Sequence, residues 1–219
     1  MTVHQVWRFQ DRHQAGRELA VAIARLELVN PVVLALPRGG VPVASHVATA
    51  IGAPLDLLLV RKLGVPGQPE LGMGAIADGN PASIYVNTAL VHELGISQAT
   101  IDREIARQMT ELDRRRQSYG LDHYIDVRGR PVVLVDDGIA TGGTVRVALQ
   151  ALRARAAARL IVAVPVAPRD ALDALASFAD QIICLCSPEH FMAVGQVYQN
   201  FEQTSDAEVI ALLQQARRA

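Results

Sequence analysis

The sequence predicts an α/β fold, a parallel sheet flanked by helices on both faces. Three observations carry that expectation. Strand-length aliphatic runs alternate with helix-patterned segments along the chain. Two of the runs end in glycine-bearing turns, Pro37-Arg38-Gly39-Gly40 and Asp136-Asp137-Gly138, and open α/β sheets bind ligands at the carboxyl ends of their strands. Half of the 219 residues are hydrophobic but only 4% are aromatic, as suits helices packed on an aliphatic sheet.

Each element has a local reason. Ala15 to Leu28 reads as an amphipathic helix with Leu19, Ile23 and Leu26 on one side. Pro31 to Leu36 is the first strand. Val41 to Ile51 is a crossover helix, in which Pro42 is tolerated because a first helical turn has no donor to lose. Leu55 to Val60 is the next strand. Arg61 to Met73, rich in Gly and Pro, reads as a loop. Short strands at Gly74 to Ala77 and Ser83 to Val86 flank the turn Asp78-Gly79-Asn80-Pro81. From Ile101 to Tyr119 a helix places Ile101, Ile105, Met109 and Leu112 on one stripe, and its Arg114-Arg115-Arg116 run reads as a solvated face. Val132 to Val135 is a strand, and helix propensity resumes at Thr144. Leu160 to Val166, a helix near Arg169 to Phe178, and a strand at Gln181 to Cys186 follow. Ser205 and Glu208 have capping-box spacing ahead of a final helix.

Charge and composition narrow the function classes. With 21 basic and 22 acidic residues, the net charge of −1 gives no basis for bulk binding to nucleic acid or an anionic membrane. The longest apolar runs are strand-sized. Trp7, Arg8, Asp11 and Arg12 interrupt any apolar secretory core near the amino terminus, so a soluble cytoplasmic protein is expected. Cys184 and Cys186 alternate with Ile183 and Leu185 and read as buried free thiols. With His190 alone nearby, they fall short of a zinc ligand set.

The chemistry concentrates between Val132 and Thr144. Four aliphatic residues, three of them β-branched, favour a strand buried on both faces. Asp136 and Asp137 then fall at its carboxyl end, where two adjacent carboxylates repel one another and need a reason to be there. Gly142 and Gly143 let the backbone turn tightly and bring amides close to an anion. The loop opens a helix, whose amino terminus carries roughly half a positive charge. A phosphate fits the loop and sugar hydroxyls fit the carboxylates. No Lys follows the glycines and G-x-G-x-x-G is missing, so this is neither a Walker loop nor a dinucleotide fingerprint.

Val132 to Thr144 resembles the signature of the type I phosphoribosyltransferases, which use 5-phosphoribosyl 1-diphosphate (PRPP). The resemblance implies one domain over residues 1–219, with a small hood built from terminal and inserted segments. It implies transfer of the phosphoribosyl group to a nitrogenous base or related acceptor, with release of diphosphate, as in nucleotide salvage. Ala140, Thr141, Gly142, Gly143 and Thr144 would hold the 5-phosphate, and Asp136 and Asp137 the ribose hydroxyls. Arg38, Gly39 and Gly40 resemble the family's diphosphate loop, with a non-proline cis bond expected near Arg38-Gly39; a glycine-rich turn is the alternative. Arg61 and Lys62 would approach the diphosphate, or else remain surface charges. Glu70 would accept a proton from the acceptor, or else be an exposed loop charge. Mg2+ is implied, bound mainly through PRPP with no dedicated protein ligands. Ala140 stands where many 6-oxopurine enzymes have an acidic residue, which counts against hypoxanthine or guanine. Pro165, Pro168, Phe191, Tyr198 and Phe201 are acceptor-side candidates or core packing. A homodimer stays open, as does a regulator that senses PRPP or a nucleotide without turnover.

Overall fold

The computed structural model describes residues 8–217; Trp7 lies outside them. Helix α1 (Arg12–Ala24) starts at Asp11, whose carboxylate accepts from the Gln14 amide at 2.8 Å. That cap moves the start three residues ahead of the apolar pattern. Strand β1 (Val32–Ala35) leads through the Pro37–Gly40 turn into α2 (Gly40–Ala50).

The expected strand from Leu55 to Val60 divides. Strand β2 (Leu55–Leu57) stays in the main sheet, while β3 (Val60–Val65) belongs to another. Asp78 pins the exit: its carboxylate accepts from the Leu59 amide and its own amide donates to the Leu59 carbonyl, both at 2.8 Å. The expected Arg61 to Met73 loop is instead an antiparallel hairpin of β3 with β4 (Gln68–Ala77), turning at Gly67 with φ +78°. Gly64 pairs with Gly72 where the register shifts, so these glycines mark bulges within strands.

Strand β5 (Ser83–Val86) follows a cis Asn80-Pro81 bond and has the expected bounds. A short helix α3 (Thr88–Glu93), capped by Asn87, is not legible in the sequence pattern. Next come α4 (Gln98–Ser118), β6 (Pro131–Val135), α5 (Gly143–Ala154), β7 (Arg159–Val166), α6 (Arg169–Leu175) and β8 (Gln181–Cys186). After a 3-10 turn at Val194–Val197, α7 (Asp206–Ala216) starts at Ser205, whose hydroxyl accepts from the Glu208 amide at 3.1 Å.

The main sheet is parallel, in the order β2-β1-β6-β7-β8. Val33, Ala35, Val133, Val135, Ile161 and Ala163 face one core with α1, α2 and α7. Val32, Leu34, Val132, Leu134, Leu160 and Val162 face a second core with α5 and α6. Period-two alternation with both faces buried is why these strands read as unbroken aliphatic runs. Register pairs Ala35 with Val135, so the turns after β1 and β6 leave neighbouring strands at one level.

Strands β3, β4 and β5 form a separate antiparallel sheet whose Leu63, Met73 and Ile76 join Ile101 and Leu112 of α4 in the first core. Two expectations for α4 are corrected here. Met109, placed on the buried stripe, is 40% exposed, and Gln108 is buried beside it. Arg116 of the arginine run is also buried. Its guanidinium meets Asp56 at 2.8 Å and Asp78 at 3.0 Å, donates to the His123 carbonyl, and lies over the Tyr124 ring. Two carboxylates brought inward, Asp56 within β2 and Asp78 just after β4, require a cation, and this turn of α4 supplies it. Arg114, in contrast, is a surface residue paired with Glu111.

Cys184 and Cys186 are free and half-buried, and burial pushes the Cys184 thiol up. No helix among the described residues is long and apolar enough to cross a membrane.

Candidate active site

Asp136 and Asp137 leave the carboxyl end of the central strand. The Asp136 carboxylate accepts from the Asp137 amide at 2.8 Å. Burial, with the Asp137 charge added to it, pushes the Asp136 carboxyl well above its ordinary value. The pair therefore resists carrying two full charges.

Asp137 is held from three sides. Arg12 Nε donates to its Oδ2 at 2.7 Å, both side chains being largely buried. The Arg12 guanidinium lies 3.9 Å from the Phe201 ring centre and donates to the Glu202 carbonyl at 2.7 Å. The Tyr198 hydroxyl donates to the Asp137 carbonyl at 2.6 Å, and its ring stacks on Phe201 at 5.0 Å. Burial pushes the Tyr198 hydroxyl up, keeping it a donor.

On the third side is the Pro37–Gly40 turn. A Cβ on Gly39 would stand 2.0 Å from Asp137 Oδ2, and one on Gly40 would stand 2.7 Å from the Val135 carbonyl and 2.9 Å from Asp136 Cα. The turn after β1 thus packs directly on the acidic pair, and only glycine allows that approach. A non-proline cis bond lies at Pro37-Arg38, one bond ahead of the expected position. Arg38 Nη1 is 3.6 Å from Asp206 Oδ1 in the first turn of α7.

Ala140 to Thr144 make the turn into α5. Gly142 takes φ +76° and is the residue before the helix, where a side chain would be strained. Among the described residues, no backbone amide from Ala140 to Thr144 donates to a protein acceptor. First-turn amides are orphans by geometry and suit an anion, and this turn follows the acidic pair directly in the chain.

The structure therefore brings Arg38, Gly39, Gly40, Asp136, Asp137 and residues 140–144 to one end of the sheet. Arg61 and Lys62 are on β3, in the other sheet, where Arg61 Nε donates to Gln108 of α4 at 2.8 Å. Glu70 falls in β4, and its side chain lies outside the described residues. Of the acceptor-side candidates, Pro165 and Tyr198 are buried, Pro168 and Phe191 are half-buried and Phe201 is 37% exposed. Arg12 and Asp206 are not legible as site residues in the sequence, since their partners are remote along the chain and no local spacing marks them. Among the described residues, no cluster of three or more His, Cys, Asp or Glu side chains could hold a metal ion.

A parallel sheet flanked by helices, with an acidic pair and two glycine turns at its carboxyl edge, defines the α/β class of this protein. The chain belongs to the phosphoribosyl transferase domain family, whose model matches residues 5–198. It is 48% identical over 212 residues to a Mycobacterium tuberculosis protein named "Putative phosphoribosyl transferase Rv0571c", and equally to MT0597 of the same species. Those matches cover 96% of this chain and 47% of the relatives, so the chain spans about half the length of the curated relatives it matches. The crystal structure of TT1426 from Thermus thermophilus superimposes with a TM-score of 0.83 at 41% identity, covering 95% of this chain and 98% of that one.

Proposed function

We propose that the protein transfers the 5-phosphoribosyl group of PRPP to a nitrogen of a base or related acceptor, releasing diphosphate. The observation that carries this reading is the packing of Gly39 and Gly40 against Asp137 and Asp136. It puts one anion-suited turn against the acidic pair from which the chain runs into the other, an arrangement that supports a sugar bearing phosphates at both ends.

In this reading the amides of 140–144 hold the 5-phosphate, and Arg38 with the Gly39-Gly40 backbone takes the diphosphate. The bond from ribose C1 to the diphosphate oxygen breaks, its electron pair leaving with diphosphate, and a C1–N bond forms. Positive charge grows on the ribose ring as the leaving group departs. Asp136 and Asp137 orient the ring hydroxyls and place negative charge beside that cation. Glu70, on the β3–β4 hairpin, is the proposed base for the acceptor proton. The hairpin and the segment around Tyr198 and Phe201 serve as the hood. Mg2+ would offset the diphosphate charge, held chiefly by phosphate oxygens and water; carboxylates beside an anion site fit such a partner.

A second reading, a PRPP or nucleotide sensor, is favoured by one observation. Asp137 and Arg38, both central to turnover, already have ionic partners within the chain, Arg12 and Asp206. A PRPP-dependent acceptor screen with mass detection separates the two. Diphosphate release with a ribosylated product supports the enzyme; tight PRPP binding with no product across the panel supports the sensor. Both readings require binding, and PRPP with Mg2+ at about one hundred times its Kd should stabilise the fold by roughly 2.7 kcal/mol. No thermal shift and no calorimetric binding would sink both. Thr141→Val should weaken PRPP and ribose 5-phosphate alike, whereas Arg38→Ala should weaken PRPP and diphosphate and spare ribose 5-phosphate. Once an acceptor is known, Asp137→Asn should lower turnover by about 10²–10³ with a smaller effect on PRPP binding.

A further inference from the structure

Helix α7 spans 206–216, beyond the 5–198 matched by the family model, yet its first turn touches the Pro37–Gly40 turn. Asp206 is held there by a second contact. Its Oδ1, the atom 3.6 Å from Arg38 Nη1, also accepts from the Tyr119 hydroxyl at 2.9 Å. Tyr119 is buried at the end of α4. The rest of α7 is seated as firmly: Val209 and Leu213 enter the first core beside Val43 and Val47 of α2, and Glu208 lies 3.7 Å from His13 of α1. The carboxylate is therefore a fixed negative charge beside the cation of the turn.

We propose that Asp206 is a built-in competitor for diphosphate at Arg38, selectively weakening ligands that carry a diphosphate and hastening release of that group. The inference rests on the reading of Arg38 as a diphosphate ligand. Diphosphate bears several negative charges, so engaging Arg38 means sharing that cation with Asp206 and lying beside an anion that Tyr119 keeps in place. A monophosphate seated on the 140–144 turn meets neither effect. Asp206 is 63% exposed, so its influence is graded and screened by salt.

The test is calorimetric titration of the full chain with inorganic diphosphate and Mg2+, and separately with ribose 5-phosphate. Asp206→Asn should bind diphosphate about three- to tenfold tighter at low salt, the scale of one unit charge a few ångströms away in a wet site. The gain should narrow at high salt, ribose 5-phosphate affinity should stay at the wild-type value, and Asp206→Glu should behave as wild type. Asp206→Ser, neutral and tolerated in a first helical turn, repeats the measurement should the Asn variant fold poorly. Unchanged or weaker diphosphate binding in the neutral variants, with Arg38→Ala losing diphosphate, overturns the competitor role and leaves the Arg38 assignment standing. Wild-type diphosphate affinity in Arg38→Ala overturns the assignment, and the competitor role falls with it.

Discussion

Replacing Gly39 by Ala tests the packing that defines the site. The added methyl would lie 2.0 Å from Asp137 Oδ2 and 2.5 Å from its Cγ, whereas ordinary contact begins near 3.4 Å, so one group must move by over an ångström. Two responses compete. The Asp137 side chain can swing only by leaving Arg12, and breaking a largely buried pair costs about 3–5 kcal/mol. Shifting the turn to relieve overpacking costs about 1–3 kcal/mol, so the turn should yield first. Gly39→Ala should therefore lose about 1–3 kcal/mol in urea denaturation followed by circular dichroism. It should also lose about tenfold or more in PRPP affinity by calorimetry, because the Pro37–Gly40 turn no longer keeps its spacing from the acidic pair. Gly40→Ala should cost more, since its methyl would strike the Val135 carbonyl and Asp136 Cα, backbone atoms that cannot swing aside. A Gly39→Ala/Asp137→Ala double variant should be about as stable as Asp137→Ala alone, because the obstacle has been removed. Wild-type stability and PRPP affinity in Gly39→Ala, or strict additivity in the double variant, would overturn this account of the packing.

Arg116→Met should destabilise by about 3–5 kcal/mol, leaving Asp56 and Asp78 buried without their cation; a denaturation midpoint near wild type would show that water or rearrangement satisfies them. The same cluster has a pH signature. Burial, outweighing Arg116 and the Leu59 amide, pushes Asp78 up to about 6. A raised carboxyl contributes stability that is full below its unfolded value near 4 and is lost as pH rises through 6. The stability of wild type minus that of Asp78→Asn should thus fall by on the order of 2–3 kcal/mol between about pH 4 and 7. A flat or rising difference would count against it.

Elements with a local cause can be read from the chain alone. The strands β1, β6 and β7 are legible because both sheet faces are buried, which demands aliphatic residues at every position. The acidic pair and the turn into α5 are legible because strand, carboxylates, glycines and helix start are contiguous. The hairpin at 60–77 escapes such a reading because its glycines mark bulges, and composition does not distinguish a bulged strand from a loop. Arg116 sits in a run of three arginines, and only the inward placement of Asp56 and Asp78 separates it from its neighbours. The same holds for the site. The Arg12 to Asp137 pair joins residues 125 apart, and Arg38 meets Asp206 only because α7 packs on α2. Pairings of that range depend on strand order and helix docking, which the summed burial of the whole chain sets, so which charges face one another emerges only in the assembled fold.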